Sequence, residues 1–340
     1  MKHFTIGKVL SAAAVAGLLA TGSVNAQEER NYLLATASTG GTYYPVGVAL
    51  ATLTKVKLQP RQKLNMSAIN SAGSGENVRL LRENEAQFAI IQGLFGSYAW
   101  NGTGPVEADG PQTGLRAVSM LWPNVEHIVV KKEFAKTGTV VDVLDMKGEA
   151  FSMGRKNSGT IGSNATIMAN LGVDDIEASY DLVYLGYGPS AAAMQDNKIV
   201  GMSTPAGDPV SAVTNAMANM GDDLALLEFT DEQAEAADGG LGLWTRYVVP
   251  AGTYPGQTED YNTIAQPNFL AVRADLPEED VYLITKTMYE NLAFLQGIHP
   301  ATRAMALDRA LAGLPMPLHP GAARYYDAAG LDIPVNLIAA

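Results

Sequence analysis

Glycine-rich loops that follow a predicted strand and precede a predicted helix recur along this chain, and they constrain its fold more than any other feature. In the first, the apolar run Tyr32–Ala37 is followed by a loop over 38–44, and Pro45 then opens a helical run. Proline is favoured in the first turn of a helix, where its missing N–H has no partner to lose. The adjacent Gly40 and Gly41 let backbone amides approach a ligand without a Cβ in the way. The unit therefore predicts an anion site at a helix N-terminus.

Three later loops occupy the same position between a strand-like and a helical run. They cover 70–77 (NSAGSGEN), 155–160 (RKNSGT) and 204–209 (TPAGDP). The alternation of strands and helices predicts an α/β fold with parallel sheets. Because ligands bind at the carboxyl ends of the strands in such sheets, the four loops predict a ligand cleft.

Helix capping is the competing explanation for several polar side chains in these loops. Ser71 or Ser74 could cap the helix that follows the second loop, and capping alone would explain Ser158 and Thr160. Asp208 could be an N-cap, or it could bind an amino group. The sequence leaves these alternatives open.

The chain is acidic, with a formal net charge of −12. That charge argues against nucleic acid and anionic membrane surfaces as partners. Arg155 and Lys156 at the start of the third loop are a local exception to this acidity. Because two cations adjoin its hydroxyls and glycine, this loop is the predicted contact for a carboxylate. The glycine spacing of this loop and its lack of a terminal Lys-Ser/Thr exclude a P-loop.

The sequence gives little support to a catalytic or metal-binding function. Without cysteine the chain has no disulfide framework, no catalytic thiol and no sulfur-ligated metal. His127, His299 and His319 lie far apart and lack the spacing of metal ligands. No Gly-x-Ser-x-Gly nucleophile motif is present. We therefore predict a binding protein with no catalytic residues, no metal and no cofactor; an exported enzyme is the rival interpretation.

Residues 1–26 have the pattern of a secretory signal peptide. Lys2 and Lys8 supply the positive charge, Val9–Ala20 is a short apolar run, and Val24–Ala26 ends in small residues suited to cleavage. Since no cysteine follows, a lipid anchor is not expected. The pattern predicts a soluble periplasmic protein that begins at Gln27.

The remaining chain exceeds what one hydrophobic core usually holds, so we expect two lobes. The predicted boundaries assign 27–127 and 248–340 to lobe I and 128–247 to lobe II. Three helices are predicted near the C-terminus, over 277–296, 301–311 and 322–329, separated by Pro and Gly.

An ordered set of segments gives the chain a resemblance to a known family. STGGTYYPVG, NSAGSGENVRLLRENEAQFAIIQ, LWPNVEHIVV, KNSGT, TPAGDPV and LHPGAARYYDAAG occur in this order between about residues 32 and 331. Together they resemble the TAXI family, the extracytoplasmic solute receptors of TRAP transporters.

The resemblance implies an α/β, two-lobed type II periplasmic-binding-protein fold with the ligand cleft between the lobes. It also implies a small organic carboxylate as ligand (glutamate, glutamine or similar to 2-oxoglutarate), delivered to ion-gradient-driven TRAP membrane subunits; a receptor that presents its ligand to a signalling protein is the alternative. The predicted ligand-binding residues are Ser38, Thr39, Gly40, Gly41, Thr42, Tyr43, Ser71, Gly73, Ser74, Asn77, Gln92, Asn157, Ser158, Gly159, Thr160, Pro205, Ala206, Gly207 and Asp208. The chain departs from the family pattern at Arg155, Lys156 and Asp208, so its ligand could differ from glutamate.

Overall fold

The computed structural model describes residues 1–3 and 28–339. The predicted signal peptide therefore lies almost wholly outside the described residues. Within them, no helix combines the length and the apolar character needed to cross a membrane. The same residues contain no cluster of three or more His, Cys, Asp or Glu side chains suited to a metal ion.

Within the described residues, eleven strands form two separate sheets. In chain order the strands are β1 (Arg30–Ala35), β2 (Leu64–Ile69), β3 (Phe88–Gln92), β4 (Leu115–Val125), β5 (Ile128–Lys131), β6 (Ala150–Ser152), β7 (Asp181–Leu182), β8 (Gly201–Ser203), β9 (Leu224–Leu226), β10 (Thr245–Val249) and β11 (Tyr261–Arg273).

The α-helices alternate with the strands through most of the chain and follow them at the C-terminal end. They are α1 (Tyr43–Gln62), α2 (Ser74–Arg82), α3 (Gly93–Asn101), α4 (Gly159–Asn170), α5 (Ile176–Ser179), α6 (Tyr187–Gln195), α7 (Ser211–Met220), α8 (Asp231–Asp238), α9 (Glu278–Glu290), α10 (Leu292–Gln296) and α11 (Pro320–Ala328).

The first sheet has the order β10-β11-β3-β1-β2, and β4 also pairs with β11. β1 lies parallel to both β2 and β3, whereas β11 is antiparallel to β3, β4 and β10. Every residue of β3 is buried, as expected for a central strand covered on both faces. We call the unit built on this sheet lobe I.

The second sheet has the order β7-β6-β8-β5-β9, and the unit built on it is lobe II. β6 is parallel to β7 and β8, and β5 is antiparallel to β8 and β9. The α/β fold with two lobes is confirmed, although both sheets are mixed and not purely parallel as the alternation suggested. The exact lobe boundaries stay predictions; the one at 247/248 falls inside β10.

The C-terminal helices pack on lobe I and add no strand to it. The hydroxyl of Tyr326 on α11 donates to the carbonyl of Val118 on β4 (2.9 Å), and Tyr289 on α9 contacts the Ser119 hydroxyl (2.6 Å). The predicted helix over 301–311 is wrong. Pro300–Ala304 and Leu307–Arg309 form two short 3₁₀ turns instead.

Candidate functional site

A cavity lies where the loops of the two lobes meet, and it encloses about 460 Å³ of space free of protein atoms, part of it open to solvent. Its walls come from the carboxyl ends of β1, β2 and β3 in lobe I and of β6, β7 and β8 in lobe II. The lining residues are Ala37, Ser38, Gly41, Thr42, Tyr43, Ala72, Gly73, Ser74, Gln92, Asn124, Arg155, Ser158, Gly159, Thr160, Leu185, Gly186, Tyr187, Pro205 and Ala206.

Four α-helices of nine residues or more have both their N-cap and their first residue in this wall: α1 and α2 from lobe I, α4 and α6 from lobe II. The first turn of a helix contains N–H groups with no partner inside the helix. These groups and the helix dipole make each N-terminus electropositive. Because four such ends surround one cavity, its electrostatics favour an anion.

Ser158 is the N-cap of α4, and its hydroxyl accepts a hydrogen bond from the Ile161 amide (3.1 Å). The predicted capping role of Ser158 is thereby confirmed. Capping by Ser74 is wrong, since its hydroxyl accepts from the Gln92 amide (3.1 Å) in β3. Asp208 is no N-cap either, because α7 starts beyond it with Val210 at the cap position.

We expect Ser158→Ala to lower the free energy of unfolding by about 1 kcal/mol, since it removes this cap. Ser211→Ala is the matched control: Ser211 is the exposed first residue of α7, and the cap of that helix has no side-chain hydrogen bond. The control should change stability by less than about 0.5 kcal/mol. Urea unfolding without ligand measures both, and equal losses would contradict the capping role.

Arg155 is the one cationic residue among the lining residues, and no Asp or Glu is among them. Its guanidinium donates across the cleft to the Ser71 carbonyl of lobe I (3.3 Å). The neighbouring Lys156 turns away, with its ammonium 4.6 Å from the centre of the Tyr184 ring. The positive charge at the cavity therefore comes from Arg155 and the helix ends.

Polar contacts join the two lobes around the cavity. The Gln92 amide group donates to the Gly159 carbonyl (3.0 Å), and the Glu76 backbone amide donates to the Asn157 carbonyl (2.9 Å). On the far side, the Thr42 hydroxyl donates to the Gly207 carbonyl (2.8 Å). Loops from opposite lobes are thus in direct contact, which is the geometry of a closed cleft.

Glycine makes this contact possible at several places. A Cβ on Gly75 would lie 2.6 Å from the Asn157 carbonyl oxygen, and one on Gly40 would lie 2.7 Å from the Gly188 nitrogen. The ring of Tyr187 packs against Gly41, where a Cβ would come within 3.1 Å of it. Gly40 and Gly41 therefore let lobe II approach, a use that the sequence did not reveal.

A chain of side-chain amides forms part of the cavity wall. The Asn124 amide group donates to the Gln92 side-chain oxygen (3.3 Å), and Asn268 donates to the Asn124 oxygen (3.4 Å). The Tyr43 hydroxyl donates to the Asn268 oxygen. Burial raises the pKa of Tyr43 and of Tyr187 far above the ordinary value, so both phenols stay neutral near pH 7.

Two buried titratable groups occupy the crossover from β4 to β5. The Glu126 carboxylate accepts from the Trp244 indole (3.1 Å), and burial raises its pKa to about 7. The His127 ring contacts the Tyr254 hydroxyl (2.7 Å), and burial lowers its pKa to about 4. Each group resists ionisation because its charged form is poorly solvated there.

Most of the predicted site residues meet at this cavity. Those that line it are Ser38, Gly41, Thr42, Tyr43, Gly73, Ser74, Gln92, Ser158, Gly159, Thr160, Pro205 and Ala206. Those outside its lining are Thr39, Gly40, Ser71, Asn77, Asn157, Gly207 and Asp208.

The residues outside the lining have other partners. Asn77 donates to the Thr36 and Ile90 carbonyls (2.8 and 2.9 Å), and Ser71 donates to Thr36 as well (2.9 Å). The Asp208 carboxylate accepts from the Tyr247 hydroxyl (2.9 Å).

Sequence reasoning did not select Asn124, Leu185 or Gly186 for the lining. Asn124 stands in a strand and has no such local signal. Leu185 and Gly186 follow the two-residue β7 and precede α6, and the sequence LGYGPS over 185–190 was a glycine signal that could have found them. Among aromatic residues near these loops, Tyr43 and Tyr187 line the cavity, whereas Tyr44, Trp122 and Tyr184 do not.

A model of the NMT1-like family matches residues 34–330 of the chain. Among solved structures, MatC from Rhodopseudomonas palustris with bound malate is 12% identical, with 87% of this chain and 98% of that chain covered and a TM-score of 0.54. A protein from Bordetella bronchiseptica RB50 is 14% identical, with 88% and 80% covered and a TM-score of 0.51. The alkanesulfonate-binding protein SsuA from Xanthomonas axonopodis pv. citri bound to MOPS is 14% identical, with 89% and 92% covered and a TM-score of 0.45.

Proposed function

This chain belongs to the NMT1-like family, and we propose that it is an extracytoplasmic solute receptor that captures a small organic acid in the cavity between its lobes. The observation that carries the proposal is the convergence of four helix N-termini and Arg155 on a cavity without a lining carboxylate. Such a site binds an anion through backbone amides, hydroxyls and one guanidinium.

Closure of the lobes is the proposed mechanism of capture. A ligand shifts an open–closed equilibrium through its difference in affinity for the two states. An acid held by α1 and α2 on one side and by α4 and α6 on the other contacts both walls in the closed form alone. The hinge is expected near Glu126–His127, where β4 of lobe I continues into β5 of lobe II.

The proposal extends to the setting in which the receptor works. The ordered motifs that resemble the TAXI family support delivery of the acid to TRAP membrane subunits, and the predicted signal peptide supports a periplasmic location. The proposed lobes are 27–127 with 248–340 and 128–247, and the proposed contacts are the predicted residues that line the cavity. Mass spectrometry of the compound released by denaturing exported protein tests the ligand class; an unaltered organic acid is the expected result.

We expect Arg155→Gln to weaken binding of 2-oxoglutarate by roughly 10- to 150-fold, the range that corresponds to one hydrogen bond to a charged group. Lys156→Gln is the control, because its charge is adjacent in sequence but directed at Tyr184. Its effect should stay within about threefold. Titration calorimetry at low and high salt measures both variants.

The loss in Arg155→Gln should shrink as salt rises, because Arg155 is exposed to solvent. Equal affinities of Arg155→Gln and wild type at low salt would contradict the role given to this guanidinium. Weaker binding by Lys156→Gln than by Arg155→Gln would reverse the assignment.

A further inference from the structure

The cavity offers hydrogen-bond donors and positive charge, and it offers almost nothing to a cation. Its lining contains Arg155 and four helix N-termini, with no Asp or Glu among the lining residues. A ligand ammonium placed here would face positive charge from Arg155 and from helix ends in both lobes. Amino acids carry an ammonium beside the carboxylate. The wall that binds the carboxylate would therefore repel the ammonium.

The acidic side chains nearest in sequence to the wall are engaged elsewhere. Asp208 accepts from Tyr247 outside the lining, and Glu126 is buried against Trp244. Glu76 accepts from the backbone amide of Ala72 (2.5 Å) in its own helix start. None of these three carboxylates therefore lines the cavity.

Four neutral oxygens of the wall already accept from protein donors. The side-chain oxygens of Gln92 and Asn124 accept from the amide chain, and the Gly159 carbonyl accepts from Gln92. The Pro205 carbonyl accepts from the Tyr187 hydroxyl (2.7 Å). These four oxygens are therefore less available to the three N–H groups of an ammonium.

We infer that the site selects acids without an ammonium group, so that an oxo or hydroxy acid binds more tightly than the amino acid of the same carbon skeleton. This inference rests on the proposed function and narrows it. A buried group that loses its partners is rejected strongly, because its desolvation is not compensated. We therefore expect a preference of at least roughly 30-fold for the oxo acid in each matched pair.

The test is titration calorimetry of wild-type protein with three pairs at one pH: 2-oxoglutarate and glutamate, pyruvate and alanine, 2-oxoisovalerate and valine. Tighter binding of the oxo member in every pair that binds supports the inference. Equal affinities, or tighter binding of the amino acid, would overturn it while leaving an acid receptor in place. If none of the six compounds binds, the proposed function falls and the inference falls with it.

A charge variant tests the physical cause. Ala37 lines the cavity and is only partly buried, so Ala37→Asp adds a carboxylate to the wall with little demand on packing. Ala37→Asn has nearly the same shape without the charge. We expect the preference for 2-oxoglutarate over glutamate to fall at least fivefold in Ala37→Asp relative to Ala37→Asn. An unchanged ratio between the two variants would overturn the electrostatic explanation.

Discussion

Gly75→Ala is expected to weaken ligand binding by roughly 10- to 2,000-fold, although Gly75 does not line the cavity. The new Cβ would lie 2.6 Å from the Asn157 carbonyl oxygen of lobe II, a backbone atom that cannot move aside alone. Overpacking of this kind costs about 1–3 kcal/mol. The hydrogen bond from the Glu76 amide to the same oxygen would be strained as well, which adds about 0.5–1.5 kcal/mol. The closed form should therefore be less stable, and the ligand should bind more weakly.

Gly188→Ala is the matched control for this variant. Gly188 lies in the first turn of α6, and a Cβ there would meet no atom within 4 Å. Its affinity for 2-oxoglutarate should stay within about threefold of wild type. Both variants replace a helical glycine by alanine, which favours the helix itself by up to about 1 kcal/mol. Equal affinities of the two variants in calorimetry would show that contact between the lobes at Asn157 is not needed for binding.

Glu126 and His127 are expected to oppose each other in the pH dependence of stability. Burial raises the pKa of Glu126 from 4.5 to about 7, so its contribution is greatest below pH 4.5 and is lost as pH rises to 7. Burial lowers the pKa of His127 from 6.5 to about 4, so its contribution is present above pH 6.5 and is lost as pH falls to 4. Between pH 4.5 and 6.5 the two slopes nearly cancel.

In Glu126→Gln, the pH dependence of stability that comes from His127 should no longer be cancelled by Glu126. The amide oxygen can still accept from the Trp244 indole, while the carboxyl proton is gone. Between pH 4 and 6.5, the free energy of unfolding of this variant should rise by about 3 kcal/mol more than that of wild type. His127→Gln should show the reverse, with a relative fall of similar size between pH 4.5 and 7.

Urea unfolding at half-unit pH intervals measures these curves. The test compares how the free energy of unfolding changes with pH. A loss of stability that is the same at every pH therefore does not affect it. Parallel curves for Glu126→Gln and wild type would mean that burial does not raise the pKa of Glu126.

The sequence predicted the part of the cavity wall that is built from local patterns. Loops such as 38–43 and 158–160 combine glycine, hydroxyls and a following helix, and that combination places them at the carboxyl end of a strand in either lobe. The same local rule extends the predicted site along the chain to Gly207 and Asp208, which do not line the cavity. In the structure the wall ends at Ala206, and Asp208 pairs with Tyr247.

Contacts between distant segments are the part that the sequence does not reveal. Asn124 belongs to the wall because β4 pairs with β11, which brings it beside Asn268, and neither residue has a local signal. Gly75 has the local features of a helix start, but its contact with Asn157 depends on how the lobes meet. The predicted helix over 301–311 fails for a similar reason. There Met305 and Ala310 are buried in the core of lobe I, and tertiary packing overrides helix propensity.

The central claim, that an organic acid binds between the lobes, is tested most directly by a crystal structure of the protein with the tightest-binding acid from calorimetry. We predict electron density for the unaltered acid between 41–43 and 158–160, within hydrogen-bond distance of the α4 N-terminus and of Arg155. Density outside this cavity, for example in the open groove lined by Pro123, Asp208 and Arg303, would contradict the account, as would density for a chemically altered compound.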